Sequence, residues 1–259
     1  MNEAVLTQST KPSETDGFVL GIETATDVLG VAVNKGHATL AEYTLTVPQK
    51  HAELLMPAVR RLLADTGLEP GQLTGVALSS GPGSYTGLRI GTSLAKGLCL
   101  GLNIPLIDVK TPLGLAEQVA SWACQTDSHI AVWLDARRME VYHTLYSANL
   151  EIQTAPEPCI LDPEWIDQTF VRGQRYILVG DGVPKALELL KNNRNQLYLA
   201  EHIRPSAAAI ARAGVRMLKQ GHTTALETFE PVYLKPARVV PSTRFDHLRS
   251  SVDTSPSSG

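Results

Sequence analysis

Apolar and polar positions along the chain fall into two successive, similar patterns. Residues 18–23 form an apolar run rich in strand formers, ended by the turn Thr24-Ala25-Thr26-Asp27. Runs at 28–33 and 38–45 follow, separated by Asn34-Lys35-Gly36, and predict a three-stranded antiparallel meander with short loops. From His51 the period changes. Leu54, Leu55, Ala58, Val59, Leu62 and Leu63 recur at helical spacing and predict a helix over 51–64, which Pro57 either kinks or begins. A short buried strand at 75–79 leads through Gly81-Pro82-Gly83-Ser84 into a helix over 86–102, then a strand at 104–108 and a helix over 112–124.

The second half repeats this order. Strands are predicted at 130–135, 140–146 and 150–154, a helix at 163–170, and a strand at 176–179. Gly180-Asp181-Gly182 then opens a helix over 184–191, and a weak strand at 197–199 precedes a last helix over 206–220. Both halves read βββαβαβα, which implies mixed sheets with helices on their faces. The expected architecture is α/β with two duplicated lobes, 17–110 and 111–235, facing each other over a cleft where a ligand could sit. The last helix is free in this scheme to pack back on the first lobe. Residues 1–16 are polar and 236–259 are rich in Ser, Pro and Thr, so both ends are expected to be disordered.

Composition narrows the function classes. The 259 residues carry 23 Lys plus Arg and 26 Asp plus Glu, a net charge of −3, which argues against a dedicated nucleic-acid binder. Cys99, Cys124 and Cys159 are an odd, widely spaced set without C-x-x-C, which suits reduced thiols in the cytoplasm. No run is long and apolar enough to span a membrane, and the first residues lack the apolar centre of a signal peptide.

The richest segment is Ser80-Gly81-Pro82-Gly83-Ser84-Tyr85-Thr86-Gly87-Leu88-Arg89. A glycine-rich turn into a helix presents free backbone N–H groups that suit an anion, so Gly81, Gly83, Ser84 and Thr86 form a candidate anion or nucleotide loop. The alternative is a sharp turn in which Ser84 or Thr86 caps the helix. It is neither a P-loop nor a complete G-x-G-x-x-G. Gly87, Gly91 and Ala95 make a strip of small side chains, suited either to close packing on the protein's own sheet or to docking a partner helix.

Catalytic look-alikes fail. Ser93-Leu94-Ala95-Lys96 matches S-x-x-K only mid-helix and without its companion motifs. No metal site is expected, since His51-Ala52-Glu53 is followed by Leu54-Leu55 and no second histidine. Arg204, Arg212, Arg216 and Lys219 place positive charge on the last helix, read as a solvated face in preference to a phosphate contact.

Several segments together resemble the TsaB, or YeaZ, family. They are Gly21-Ile22-Glu23-Thr24-Ala25-Thr26, His51-Ala52-Glu53-Leu54-Leu55, the glycine-rich segment through Ala95-Lys96-Gly97-Leu98, Asp135-Ala136-Arg137-Arg138-Met139-Glu140-Val141-Tyr142 and Pro231-Val232-Tyr233-Leu234. The resemblance implies the actin-like, Hsp70-like fold with ribonuclease H-like lobes. It also implies a role in making N6-threonylcarbamoyladenosine at position 37 of tRNAs that read codons starting with adenine. In that system TsaD performs the transfer, and TsaB-like proteins bind and support TsaD together with the ATPase TsaE. No catalytic residue and no intrinsic cofactor are then expected here, ATP being used by the complex. The contact with tRNA would be indirect, and self-association in the absence of TsaD is a further expectation. Glu23 stands where nucleotide-binding relatives often carry Asp. The family's pairing surface corresponds to the first two helices, with Leu54, Leu55, Ala58, Leu62, Leu88, Gly91, Thr92 and Ala95 expected in or beside it. The competing reading is a stand-alone ATP-dependent phosphotransferase of the same fold, using Gly81 to Thr86 and Gly180 to Gly182 as phosphate loops.

Overall fold

The computed structural model describes residues 17–47, 49–191, 196–200 and 202–235. The expected leader and tail lie outside them. The first repeat comprises β1 (Phe18–Glu23), β2 (Leu29–Lys35), β3 (Ala38–Leu45), α1 (His51–Thr66), β4 (Leu73–Ser79), α2 (Tyr85–Leu102), β5 (Leu106–Val109) and α3 (Thr111–Thr126). The second comprises β6 (His129–Asp135), β7 (Glu140–Tyr146), β8 (Ile152–Ile160), α4 (Pro163–Thr169), β9 (Arg175–Val179), α5 (Leu187–Leu190), β10 (Gln196–Ala200) and α6 (Ala207–Lys219).

The two sheets have equivalent topology, with strand order β3-β2-β1-β4-β5 in one and β8-β7-β6-β9-β10 in the other. In each, the meander pairs antiparallel and the crossover strands pair parallel. Duplicated actin-like lobes are therefore the observed architecture.

Period-two alternation decides what each face of a strand meets. Leu20 and Ile22 of β1 join Leu55, Val59 and Leu62 of α1 and Ala95 and Cys99 of α2 in one cluster. Val19, on the opposite face, packs with Ile210, Ala213 and Val215 of α6. The first sheet is thus a filling between α1–α2 and α6, the last helix among the described residues. The contact is close: a Cβ on Gly214 would overlap that of Ala77, and Asn34 Nδ2 donates to the Ala208 carbonyl at 3.4 Å. Reciprocally, α3 carries Leu115, Val119 and Ala123 onto Ile130, Val132 and Ile177 of the second sheet. Each repeat's closing helix covers a sheet built by the other repeat, and Arg216 of α6 pairs with Glu117 of α3 where the two helices meet.

Two elements differ from expectation. Strand β8 continues to Ile160 through Pro156 and Pro158, because it is an edge strand and the missing N–H groups interrupt no second ladder. The helix expected over 184–191 is a 3₁₀ turn, Val183–Ala186, followed by the four-residue α5.

Candidate functional site

A cleft of about 1380 Å³ separates the lobes. Its first-lobe wall is the β1–β2 turn and the first turn of α2, its second-lobe wall is the β6–β7 turn and Asp181, and the segment ending at Lys235 runs between the two.

The glycine-rich turn stands at this wall, but much of it is occupied by the chain itself. Gly81 N–H donates to Thr111 Oγ1 at 3.1 Å, and Ser84 N–H donates to the Ala25 carbonyl at 2.6 Å. Ser84 is the N-cap of α2, its Oγ accepting Gly87 N–H at 3.3 Å. A Cβ on Gly83 would overlap the Ala25 carbonyl, and one on Gly87 or Gly91 would overlap Thr24. The small residues let the turn and α2 lie directly on the β1–β2 turn. Of the candidate anion loop, Gly83, Ser84 and Thr86 line the cleft, while Gly81 is buried behind it.

Glu23, at the end of β1, is wholly buried. Its Oε1 accepts Ala25 N–H at 2.7 Å, and Ser79 donates to it from β4. Burial pushes its pKa up to about 7, more than these hydrogen bonds lower it. This carboxyl holds the β1–β2 turn and does not face the cleft. Across the cleft, Asp181 Oδ1 accepts Asp135 N–H at 2.8 Å, and its pKa is raised by burial, with Asp135 and Asp27 adding negative field. Lys185 pairs with Asp135, and Lys235 with Glu140.

The residues expected at a partner surface divide sharply. Leu55, Ala58, Leu62, Leu88, Gly91 and Ala95 are buried in the first lobe's own core. Their apolar stripe is the face that binds the sheet. Leu54 and Thr92 remain partly exposed. The outward face of α2 carries Arg89, Ser93, Gly97, Leu100 and Gly101, with Leu100 77% exposed and open space over both glycines. Beside it, α1 exposes Ala52, Glu53, Pro57, Arg60 and Ala64.

Other singled-out residues have structural duties. His51 Nε2 lies 3.2 Å from the Val28 carbonyl, and Glu53 pairs with Lys50 at 2.6 Å. Ser93 Oγ donates to the Arg89 carbonyl at 2.8 Å, and Lys96 lies over the Phe229 ring. Among the described residues no three His, Cys, Asp or Glu side chains gather as a metal site, and no helix is long and apolar enough to cross a membrane.

A profile of the family described as TsaD, tRNA N6-adenosine threonylcarbamoyltransferase, matches residues 38–236. The Escherichia coli protein named tRNA threonylcarbamoyladenosine biosynthesis protein TsaB is 30% identical over 220 residues, spanning 84% of this chain and 94% of that protein. The chain belongs to the TsaB family. Bacillus subtilis TsaB is 33% identical over 164 residues, which is 62% of this chain and 70% of that protein. The solved structure of YeaZ from Pseudomonas aeruginosa superposes with a TM-score of 0.69 at 27% identity, over 84% of this chain and all of that one. A tRNA N6-adenosine threonylcarbamoyltransferase from Trichlorobacter lovleyi is 38% identical over 86 residues, only 25% of that enzyme's length. The match to Escherichia coli TsaB thus takes in nearly all of that protein, and the match to this transferase a quarter of its length.

Proposed function

We propose that this TsaB-family chain is a non-catalytic subunit that binds TsaD and supports transfer of the threonylcarbamoyl group to tRNA adenosine in the cytoplasm. The observation that carries the reading is the outward face of α2, where Ser93, Gly97 and Gly101 form a line over which a partner backbone can approach closely. The half-buried Ile90, Leu94 and Leu98 beside that line supply apolar area for a helical contact. In the isolated chain the same face offers a second copy a place to pair.

The other duties belong to the complex. ATP is used there, with TsaE, and the contact with tRNA is indirect, a reading that the engagement of Arg216 of the basic helix by Glu117 supports. The engaged amides of Gly81 and Ser84 and the buried Glu23 support a role without phosphoryl transfer in this chain's own cleft.

Reconstitution tests the proposal. TsaD, TsaE, the enzyme that makes threonylcarbamoyl-adenylate, tRNA and labelled threonine are mixed with and without this chain. Label is expected in tRNA only when the chain is present, with no ATP turnover by the chain alone. Equal labelling without it, or ATP turnover by the purified chain, contradicts the reading.

A further inference from the structure

The segment after α6 does not end the fold loosely. Thr224 N–H donates to the Leu106 carbonyl at 2.9 Å beside β5, and Phe229 is buried against the first lobe's core. Val232 N–H then donates to the Ser80 carbonyl at 2.8 Å. The carbonyl oxygen of Val232 would lie 2.6 Å from a Cβ on Gly81, whose φ of 107° belongs to glycine in any case. Tyr233 packs its ring 4.8 Å from that of Tyr85 in the first turn of α2. Two residues later the chain has reached the second lobe. Lys235 Nζ donates to the Ala136 carbonyl at 3.2 Å and to the Glu140 carboxylate, and lies 5.8 Å from the Tyr142 ring.

We propose that residues 231–235 are an inter-lobe strap that fixes the opening of the cleft, seated on the glycine-rich turn in one lobe and locked by Lys235 on the β6–β7 turn in the other. Among the described residues the lobes are also joined at the β5–α3 and β10–α6 links and by the packing of α6 and α3. Those joints lie along one pair of elements and leave rotation about them as the soft motion. A strap across the cleft opposes that rotation. Its two ends differ in kind: a backbone bond with an aromatic pair on the first lobe, and a charge-assisted bond on the second, which salt screens because both partners are about one-third exposed. Glycine at position 81 is required to receive the Val232 carbonyl, which gives the glycine-rich turn a use within this chain. The inference rests on contacts inside the chain and is independent of the TsaD reading.

The test uses the full chain with spin labels at Gln72→Cys in the first lobe and Gln168→Cys in the second, on a Cys124→Ser background. Both label sites are exposed. Pulsed electron resonance is expected to give one narrow inter-lobe distance, broadened or displaced by Lys235→Met and by Tyr233→Ala, and broadened in the unsubstituted chain by molar salt. Lys235→Arg is expected to keep the narrow distance. Hydrogen exchange on the unsubstituted chain gives a reading that needs no variant to fold: the Val232 amide is expected to exchange well below the rate of an unstructured peptide. An unprotected Val232 amide, or distances unchanged in both Lys235→Met and Tyr233→Ala, overturns the strap.

Discussion

Gly87 of α2 rests so closely on the carbonyl of Thr24 that a single methyl group there would overlap the oxygen. Three turns along the helix, Gly97 has open space around it. The two glycines share a helix and a repeat spacing yet carry opposite assignments, one to the interior and one to the surface. Gly87→Ala is therefore expected to lose about 2 kcal/mol or more through overpacking against backbone. Gly97→Ala is expected to gain about 0.5–1 kcal/mol from helix propensity. Chemical denaturation of both variants checks the contrast, and similar losses in the two would contradict the assignment of faces.

Two buried titratable groups pull stability in opposite directions with pH. Glu23 has its pKa raised from an ordinary 4.5 to about 7, so between those values the folded state holds a proton that the unfolded state has released. Stability falls as pH rises through that window. His143 accepts the Trp133 indole N–H at 2.9 Å, and burial lowers its pKa from 6.5 to about 4. There the unfolded state holds the extra proton, so stability rises with pH between about 4 and 6.5. Each linkage amounts to about 3 kcal/mol and they largely cancel. Glu23→Gln is expected to unmask a rise in stability from pH 4 to 6.5, and His143→Gln a fall from pH 4.5 to 7. Urea midpoints measured across that range test both signs. A flat profile in each variant would contradict the pairing.

Arg216 answers Glu117, whose side chain is only 9% exposed, at the crossing of α6 and α3. Arg216→Met leaves that largely buried carboxylate without its cation, with an expected loss of about 1–3 kcal/mol. The tRNA affinity of the assembled complex is expected to stay unchanged within twofold. A large drop in affinity with unaltered stability would instead place this helix on phosphate.

Much of the fold was legible because strand and helix periods are local. β1 over 18–23, β3 over 38–45 and β7 over 140–146 stand where the runs of strand-forming residues put them, and the repeated element order already implied duplication. The continuation of β8 through Pro156 and Pro158 was not legible, since proline speaks against a strand until the strand is known to lie at an edge. The candidate site divided for a similar reason. Hydrophobic spacing in α1 and α2 finds the face that meets the sheet, and Leu55, Leu62 and Leu88 are that face. The outward face of α2, proposed above for the partner, carries Ser93, Gly97 and Gly101, which no apolar period marks. The engagement of Gly81 by Thr111 and Val232 depends on residues 30 and more positions away, beyond the reach of a local motif.

The central claim is that the outward face of α2 binds TsaD, and light scattering of this chain mixed with TsaD from the same organism tests it most directly. Gly97→Glu and Ser93→Arg are placed on that face, with Gln168→Glu on the second lobe as the control, and circular dichroism confirms folding of each. The unsubstituted chain and the Gln168→Glu control are predicted to form a stable complex of equal subunit numbers, and the two α2 variants to remain separate from TsaD while folded. A folded unsubstituted chain that forms no complex, or α2 variants that bind as tightly as it does, would contradict the account.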